Sequence, residues 1–420
     1  MGNLSGYTQP SIHTFFPQTV STGTLLGGTC GPPRRVGAPP PREDISPLRC
    51  TEDRTFLPGG CPRGGGGAPQ ERLSSKRSKE TLTFEHSLST VTGTAPFSPG
   101  TALPRVRDPV EPPLYPAYRQ LQADGTLRNR VEEALSLLEE CRVCPRRCGV
   151  DRLRDERGYC RTGRRAVVSS SGPHYGEEPP LVGRRGSGTI FFTHCNLRCA
   201  FCQNYEISQG GQGVEVAPER LAGMMLSLQD LGCHNINFVS PTHVVPQILE
   251  AVALAAEGGL FIPLVYNSGG YDAVETLRLV DGIFDIYMPD TKYGSDNVAL
   301  RLSDAPGYTG VNQAALREMH RQVGDLVIRD GIAVRGLIIR HLVLPHGLAG
   351  TDAVMGFIAD EISRDSYVNI MPQYRPCGRI FDDSGEPLFR ELQRPLRLSE
   401  YREAVGIARR HGLHRGFPSL

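Results

Sequence analysis

The sequence predicts an α/β protein built on a partial (β/α)6 TIM-like barrel, with a small cysteine-rich N-terminal extension and a disordered tail before it. Three observations predict this. From Gly188 onward, short apolar runs of β-type alternate six times with runs of helical spacing, as parallel strands covered by crossover helices do. Seven of the 12 cysteines fall between Cys141 and Cys202, in two tight groups. Residues 21–70 hold 20 glycines and prolines in 50 positions, above the roughly 25–30% that marks chains unable to fold.

The tail, residues 1–105, contains the glycine run Gly64–Gly67 and has too little apolar surface to offset its chain entropy. Its Cys30, Cys50 and Cys61 lack ligand spacing and read as incidental thiols. Order is expected from Tyr115. The extension, residues 115–187, begins with a helix over Leu127–Leu138, where Leu127, Val131, Leu135 and Leu138 share a face. The first cysteine group follows, then a β-rich stretch, Ala166–Ser170, and a loop with His174, Glu177 and Glu178. The barrel, residues 188–415, takes its strands from 189–193, 235–240, 262–267, 283–288, 334–344 and 367–371. Its helices are expected at 218–231, 244–257, 271–280, 311–323, 353–363 and 399–411. A doubly wound sheet uses the same alternation and is the alternative.

Charge and composition narrow the function. With 46 basic and 45 acidic side chains the net charge is +1, so no global field draws the chain to nucleic acid or a membrane surface. No run of 18 apolar residues occurs; the best candidate, 248–266, is broken by Glu250 and Glu257. The N-terminus lacks the basic and apolar regions of a secretory signal. Tight cysteine groups in a long chain point to metal or iron–sulfur ligation in a reducing compartment, hence the cytoplasm.

The second group carries the chemistry. Cys195, Cys199 and Cys202 have the spacing C-x3-C-x2-C on the loop leaving the first barrel strand, the end where barrels place their active sites. Three thiolates can hold three irons of a cubane and leave the fourth open, since full ligation takes four cysteines. A structural zinc is the alternative, with His194 as the only nearby fourth ligand.

This motif, with Asn196-Leu197 before the second cysteine and Phe201 before the third, resembles the radical S-adenosylmethionine (SAM) superfamily. The longer string Cys195–Ser208, CNLRCAFCQNYEIS, resembles the PflX-type homologues of pyruvate formate-lyase activating enzyme. Further segments match: NFVSPTH (237–243), YNSGGY (266–271), DIYMPDTKY (285–293), IRHLVLP (339–345) and NIMPQYRP (369–376). The resemblance covers residues 141–412 and implies a radical SAM barrel, a [4Fe–4S] cluster on the three cysteines, and SAM bound at its open iron. It implies an oxidoreductase that forms a 5′-deoxyadenosyl radical and abstracts a hydrogen atom, with a glycyl radical enzyme as protein substrate. The electron donor it implies is a reduced flavodoxin- or ferredoxin-like protein.

Each matching segment falls at the C-terminal end of a predicted strand. Ser240, Thr242 and His243 stand where the superfamily usually carries a Gly-Gly-Glu-like motif for the SAM amino group; here they form either that contact or a turn on Pro241. Asn267 and Ser268, before Gly269-Gly270, are candidates for the SAM carboxylate or ribose. The spacing of Asp290 and Lys292 puts both on one face of an extended segment. The resemblance sends Lys292 to the SAM carboxylate and Asp290 to the ribose or substrate; a surface ion pair is the alternative. Phe201 is expected against the adenine. Arg340, costly in an apolar run unless partnered, is expected to point into the barrel mouth. His341 fits either the mouth or the core, and Gln373, Tyr374 and Arg375 are lining candidates.

Cys141, Cys144, Cys148 and Cys160, spaced C-x2-C-x3-C-x11-C, can close a second metal site, either structural zinc or an auxiliary iron–sulfur cluster. Cys233 and Cys377 have no partner spacing and read as buried small residues. The rival function from another class is a zinc-dependent structural or binding module that uses both groups.

Overall fold

A computed structural model describes residues 116–381, 385–386 and 388–418. The expected tail, with Cys30, Cys50 and Cys61, and the expected onset of order at Tyr115 lie outside them. Nine strands form one sheet: β1 (Ala166–His174), β2 (Ser187–Phe192), β3 (Val214–Val216), β4 (Ile236–Val239), β5 (Leu264–Ser268), β6 (Ile286–Pro289), β7 (Val327–Arg329), β8 (Ile332–Leu342) and β9 (Tyr367–Met371). The strands β2, β4, β5, β6, β8 and β9 pair in parallel, in sequence order. A doubly wound sheet reverses its order at a switch point; a barrel does not. The six expected strands are therefore those of a partial barrel. The antiparallel β1 and β3 extend it beyond β2, and β9 pairs with β8 alone among the named strands, which leaves the barrel open.

Strand alternation builds two layers. Val265, Ile286, Met288 and Ile338 point into the barrel and form one cluster. Their neighbours Leu264, Tyr266, Tyr287, Leu337 and Ile339 face the helices in another. The helices Pro218–Asp230 and Val245–Glu257 carry proline in their first turns, where its missing N–H has no bond to lose. The helix expected at 271–280 starts only at Val274, because Tyr271 and Asp272 turn inward. That expected at 353–363 is α-helical over Thr351–Phe357 and passes into a π turn, Ile358–Ile362.

The extension has no core of its own. Tyr118, Leu127, Ala134, Leu138 and Val143 are buried in one cluster with Val245, Ile248 and Leu277 of the barrel helices. His174, expected in a loop, is the last residue of β1 and pairs with Ser187, at the N-terminal end of β2. From there the short helix Pro179–Val182 brings the fully buried Leu181 into the barrel-interior cluster, closing the barrel floor. Burying that side chain contributes about 2 kcal/mol.

Candidate cofactor site

Cys195, Cys199 and Cys202 lie just past the C-terminal end of β2, on a loop held from several sides. His194 donates to the carbonyl of Ile207 at 3.0 Å, and the amides of Arg198 and Ala200 donate to Ser303 and Leu302 at 3.0 and 2.7 Å. Those acceptors end the helix Asp296–Ser303. Asn196, 2% exposed, donates through Nδ2 to the carbonyl of Tyr271 at 2.7 Å. His194 has φ +70°, a left-handed conformation unfavourable for a side-chain-bearing residue and typical of over-determined functional turns. The sulfurs meet small donors: Ser303 Oγ donates to Cys199 Sγ at 3.0 Å, Ser208 Oγ lies 3.1 Å from Cys202 Sγ, and the Leu197 amide is 3.4 Å from Cys195 Sγ. Burial pushes the Cys195 thiol up to about 12 and the Cys202 thiol up to about 11, each nearby thiolate adding to the rise while Lys292 opposes it.

Across from this loop, the parallel register places Asn267, Asp290, Arg340 and Asn369 on the barrel-interior face. Arg340 points into the barrel as expected, donating to Asp290 Oδ1 at 2.8 Å and to Asn267 Oδ1 at 2.7 Å. Lys292 pairs with Asp290. The pair is no surface ion pair: the two side chains are only 15% and 13% exposed. Burial alone raises a carboxyl, but the Arg340 and Lys292 charges win and hold Asp290 below its ordinary range. Burial likewise works to lower Lys292, and the charges of Asp290 and Cys199 overcome it. Lys292 is thus a fixed cation held between the barrel mouth and the cysteine loop.

The other expected contacts fall differently. Thr242 Oγ1 and Ser268 Oγ donate to Asp272 at 2.6 and 2.7 Å, joined by Tyr266 OH at 2.9 Å. Both hydroxyl protons are therefore used internally. His243, 1% exposed, bonds through Nε2 to the carbonyl of Thr193 at 3.0 Å; burial and then Arg152 push its pKa down to about 3, so it is neutral. Ser240 stays half-buried at the strand end with φ +60°. Phe201 packs edge-on against Tyr374, whose hydroxyl donates to Leu392, and the Gln373 carbonyl accepts from Gln203. His341, one residue past Arg340, faces away from the interior and is a core histidine: Nδ1 meets the Thr291 carbonyl at 2.7 Å and Nε2 the Thr351 hydroxyl at 3.0 Å.

Sequence reading missed the acids that meet Arg340 and Asn369, and the buried Asp272. The segment at Glu177 and Glu178 reaches Arg340 and Asn369: Glu177 lies 4.0 Å from Arg340, and Asn369 Nδ2 donates to Glu178 Oε1 at 2.8 Å. Burial raises the Glu178 carboxyl, and its Oε2 is buried without a partner. Asn237, fully buried on β4, leaves both amide atoms unpartnered. The available signals were two adjacent acids before Pro179-Pro180, and an asparagine inside an apolar strand.

The four-cysteine group packs against the same loop. Cys141, Cys144 and Cys160 are buried and Cys148 half-buried. Burial pushes the Cys144 thiol up to about 12, with the other three thiols adding to the rise. Tyr159 is held between two guanidinium groups, Arg146 at 3.7 Å and Arg198 at 4.5 Å from the ring centre, and its hydroxyl donates to Asp304 at 2.6 Å. A cavity of about 230 Å³ lies between the groups, lined by Tyr159, Cys160, Arg161, His194, Cys195 and Arg198 among others. Among the described residues, no three His, Cys, Asp or Glu side chains are gathered to hold a single metal ion. A cubane asks for no such gathering, because each thiolate binds a different iron. The donor set fits one at 195–202: three free sulfurs on one loop, hydroxyl and amide donors beside them, and Lys292 nearby. Among the described residues no helix is long and apolar enough to cross a membrane.

The model of the radical SAM superfamily matches residues 189–321. Uncharacterized protein MJ0674 of Methanocaldococcus jannaschii is 32% identical over 294 residues, covering 68% of this chain and 78% of its own. Uncharacterized protein MJ0808 of the same organism is 24% identical over 283 residues, covering 62% and 78%. A crystal structure of a radical SAM methyltransferase from Sphaerobacter thermophilus aligns with a TM-score of 0.38 and 15% identity, covering 54% of this chain and 65% of that one.

Proposed function

Because this chain belongs to the radical SAM superfamily, we propose that it cleaves SAM reductively at a [4Fe–4S] cluster on Cys195, Cys199 and Cys202 and directs the radical to a hydrogen atom of its substrate. When bound, the cluster supplies one electron, and the SAM carbon–sulfur bond breaks into methionine and a 5′-deoxyadenosyl radical. The remaining work belongs to the chain. Lys292 offers a cation for the SAM carboxylate, and Asp290 and Arg340 fix Lys292 and Asn267 in place. Ser240 and Asn267 stand at adjacent strand ends, where the amide of Ser240 bonds the carbonyl of Asn267 at 2.9 Å. Phe201 and Tyr374 form an aromatic wall on the adenine side. The observation that carries the reading is the placement of three free cysteines past the C-terminal end of β2, near the buried Asp290–Lys292 pair that follows β6.

The segments resembling PflX-type activases support a glycyl radical protein as the substrate, a reduced flavodoxin- or ferredoxin-like donor, and the cytoplasm as the setting. A small polar substrate is the second reading, favoured by the unpartnered Glu178 Oε2 and Asn237 amide inside the barrel. Iron and sulfide counts on anaerobically reconstituted protein test the cofactor. About four of each, lost on replacing the three cysteines, support the reading; zinc in that loop without iron overturns it.

A further inference from the structure

We propose that Cys141, Cys144, Cys148 and Cys160 hold a second, fully ligated metal centre of net negative charge, and that Arg152 is its buried counter-cation. Arg152 is 1% exposed and has no carboxylate partner among the described residues. It donates from Nε to the Gly163 carbonyl at 3.2 Å and from Nη1 to the His243 carbonyl at 2.8 Å, and Nη1 also lies 3.8 Å from Cys141 Sγ. Its Nη2 is buried without a partner. An interior guanidinium is costly unless an anion meets it, and the one acidic group it touches is a thiol. A neutral thiol supplies no charge; a metal-bound thiolate does.

Backbone bonds close the loop that carries Cys141, Cys144 and Cys148 on itself. The Cys141 amide bonds the Val150 carbonyl at 2.9 Å, Gly149 returns to the Cys141 carbonyl at 3.1 Å, and Arg152 bonds the Leu138 carbonyl at 2.8 Å. A Cβ at Gly158 would lie 2.7 Å from Cys148 Cβ and 2.8 Å from its sulfur, so only glycine lets the segment bearing Cys160 lie on Cys148. The next amide, of Tyr159, donates to Cys148 Sγ at 3.4 Å. On loading, four thiols release their protons to solvent. Four thiolates on one zinc ion, or on a [4Fe–4S] core, give the same dianion, of which Arg152 offsets part. The centre adjoins the first site, since Cys160 and Cys195 line one cavity.

The test uses the full chain with Cys195→Ala, Cys199→Ala and Cys202→Ala together, purified anaerobically and assayed for zinc, iron and sulfide after gel filtration. About one zinc, or about four irons with equal sulfide, is expected to remain; the first outcome identifies a zinc ion and the second a cluster. Retention of neither overturns the proposal. In the otherwise intact chain, Cys148→Ala with Cys160→Ala, which leaves only two ligands, should lower the metal count by one such centre while the circular dichroism spectrum is kept; an unchanged count also overturns it. Arg152→Met should release that metal to a chelator at least ~10-fold faster than wild type, with Arg152→Lys in between. Equal release rates from all three would remove Arg152 from the account.

Discussion

The two cysteine loops differ in closure. At 195–202, three sulfurs sit at the open mouth of the barrel, beside a lysine held by an aspartate. At 141–160, four cysteines share a segment whose backbone is tied to itself, with Cys141 beside a buried arginine. On the readings proposed above, the first keeps a free side for a ligand and the second, with four ligands, does not. Ligand count and position in the fold therefore separate a reactive site from a closed one, even where the donor atoms are the same.

Several substitutions can break or sharpen that contrast. Lys292→Ala removes the cation from the open site only. We expect SAM binding to weaken by about 10- to 100-fold, the loss of a charged hydrogen bond, with iron content unchanged; equilibrium dialysis with labelled SAM checks it. Gly270→Ala should cost about 3 kcal/mol in urea denaturation, because φ is +71° and its Cβ would lie 1.9 Å from the Asp290 carbonyl oxygen. Tyr159→Ala removes the ring stacked between the two loops and should cost about 2 kcal/mol, while each metal count is kept.

Asp285 tests how the extension is moored to the barrel, since it accepts the Ala117 amide at 2.8 Å. Burial raises its carboxyl to about 6, against ~3.9 in an unfolded chain. The folded state therefore binds the proton more tightly. This group's contribution is most favourable below about pH 4 and is lost as pH rises to about 6, by on the order of 3 kcal/mol. Asp285→Asn should flatten the denaturation midpoint across that window. The smallest effect is expected from Glu275→Gln at the edge of the four-cysteine loop: its bridge to Arg147 is 69% and 60% exposed, and such pairs contribute at most about 0.5 kcal/mol.

The sequence made the local and periodic features legible. All six parallel strands fall within three residues of their expected bounds, because each is an apolar run flanked by polar turns. The cysteine loop and the Asp290–Lys292 pair were legible through their spacing, strand context and family resemblance. What escaped was non-local. The pairing of β1 with β2 and β3 depends on contacts across the sheet, and the Pro179–Val182 plug is too short to show a period. Asp272 gathers the hydroxyl groups of Tyr266 and Ser268 on β5 and of Thr242 past the end of β4, and it is the turn after β5, not a spacing, that joins them. Thr242 and Ser268 read as ligand contacts for the same reason: their partner was invisible. Arg152 lies among many arginines, and only burial singles it out.

The most direct test of the account is 5′-deoxyadenosine release. Wild-type protein, reconstituted anaerobically and given SAM with dithionite, should release it, while Cys199→Ala, with the four-cysteine loop intact, should release none above background. Equal release from the variant, or intact SAM with the wild type carrying a full complement of iron, would contradict it.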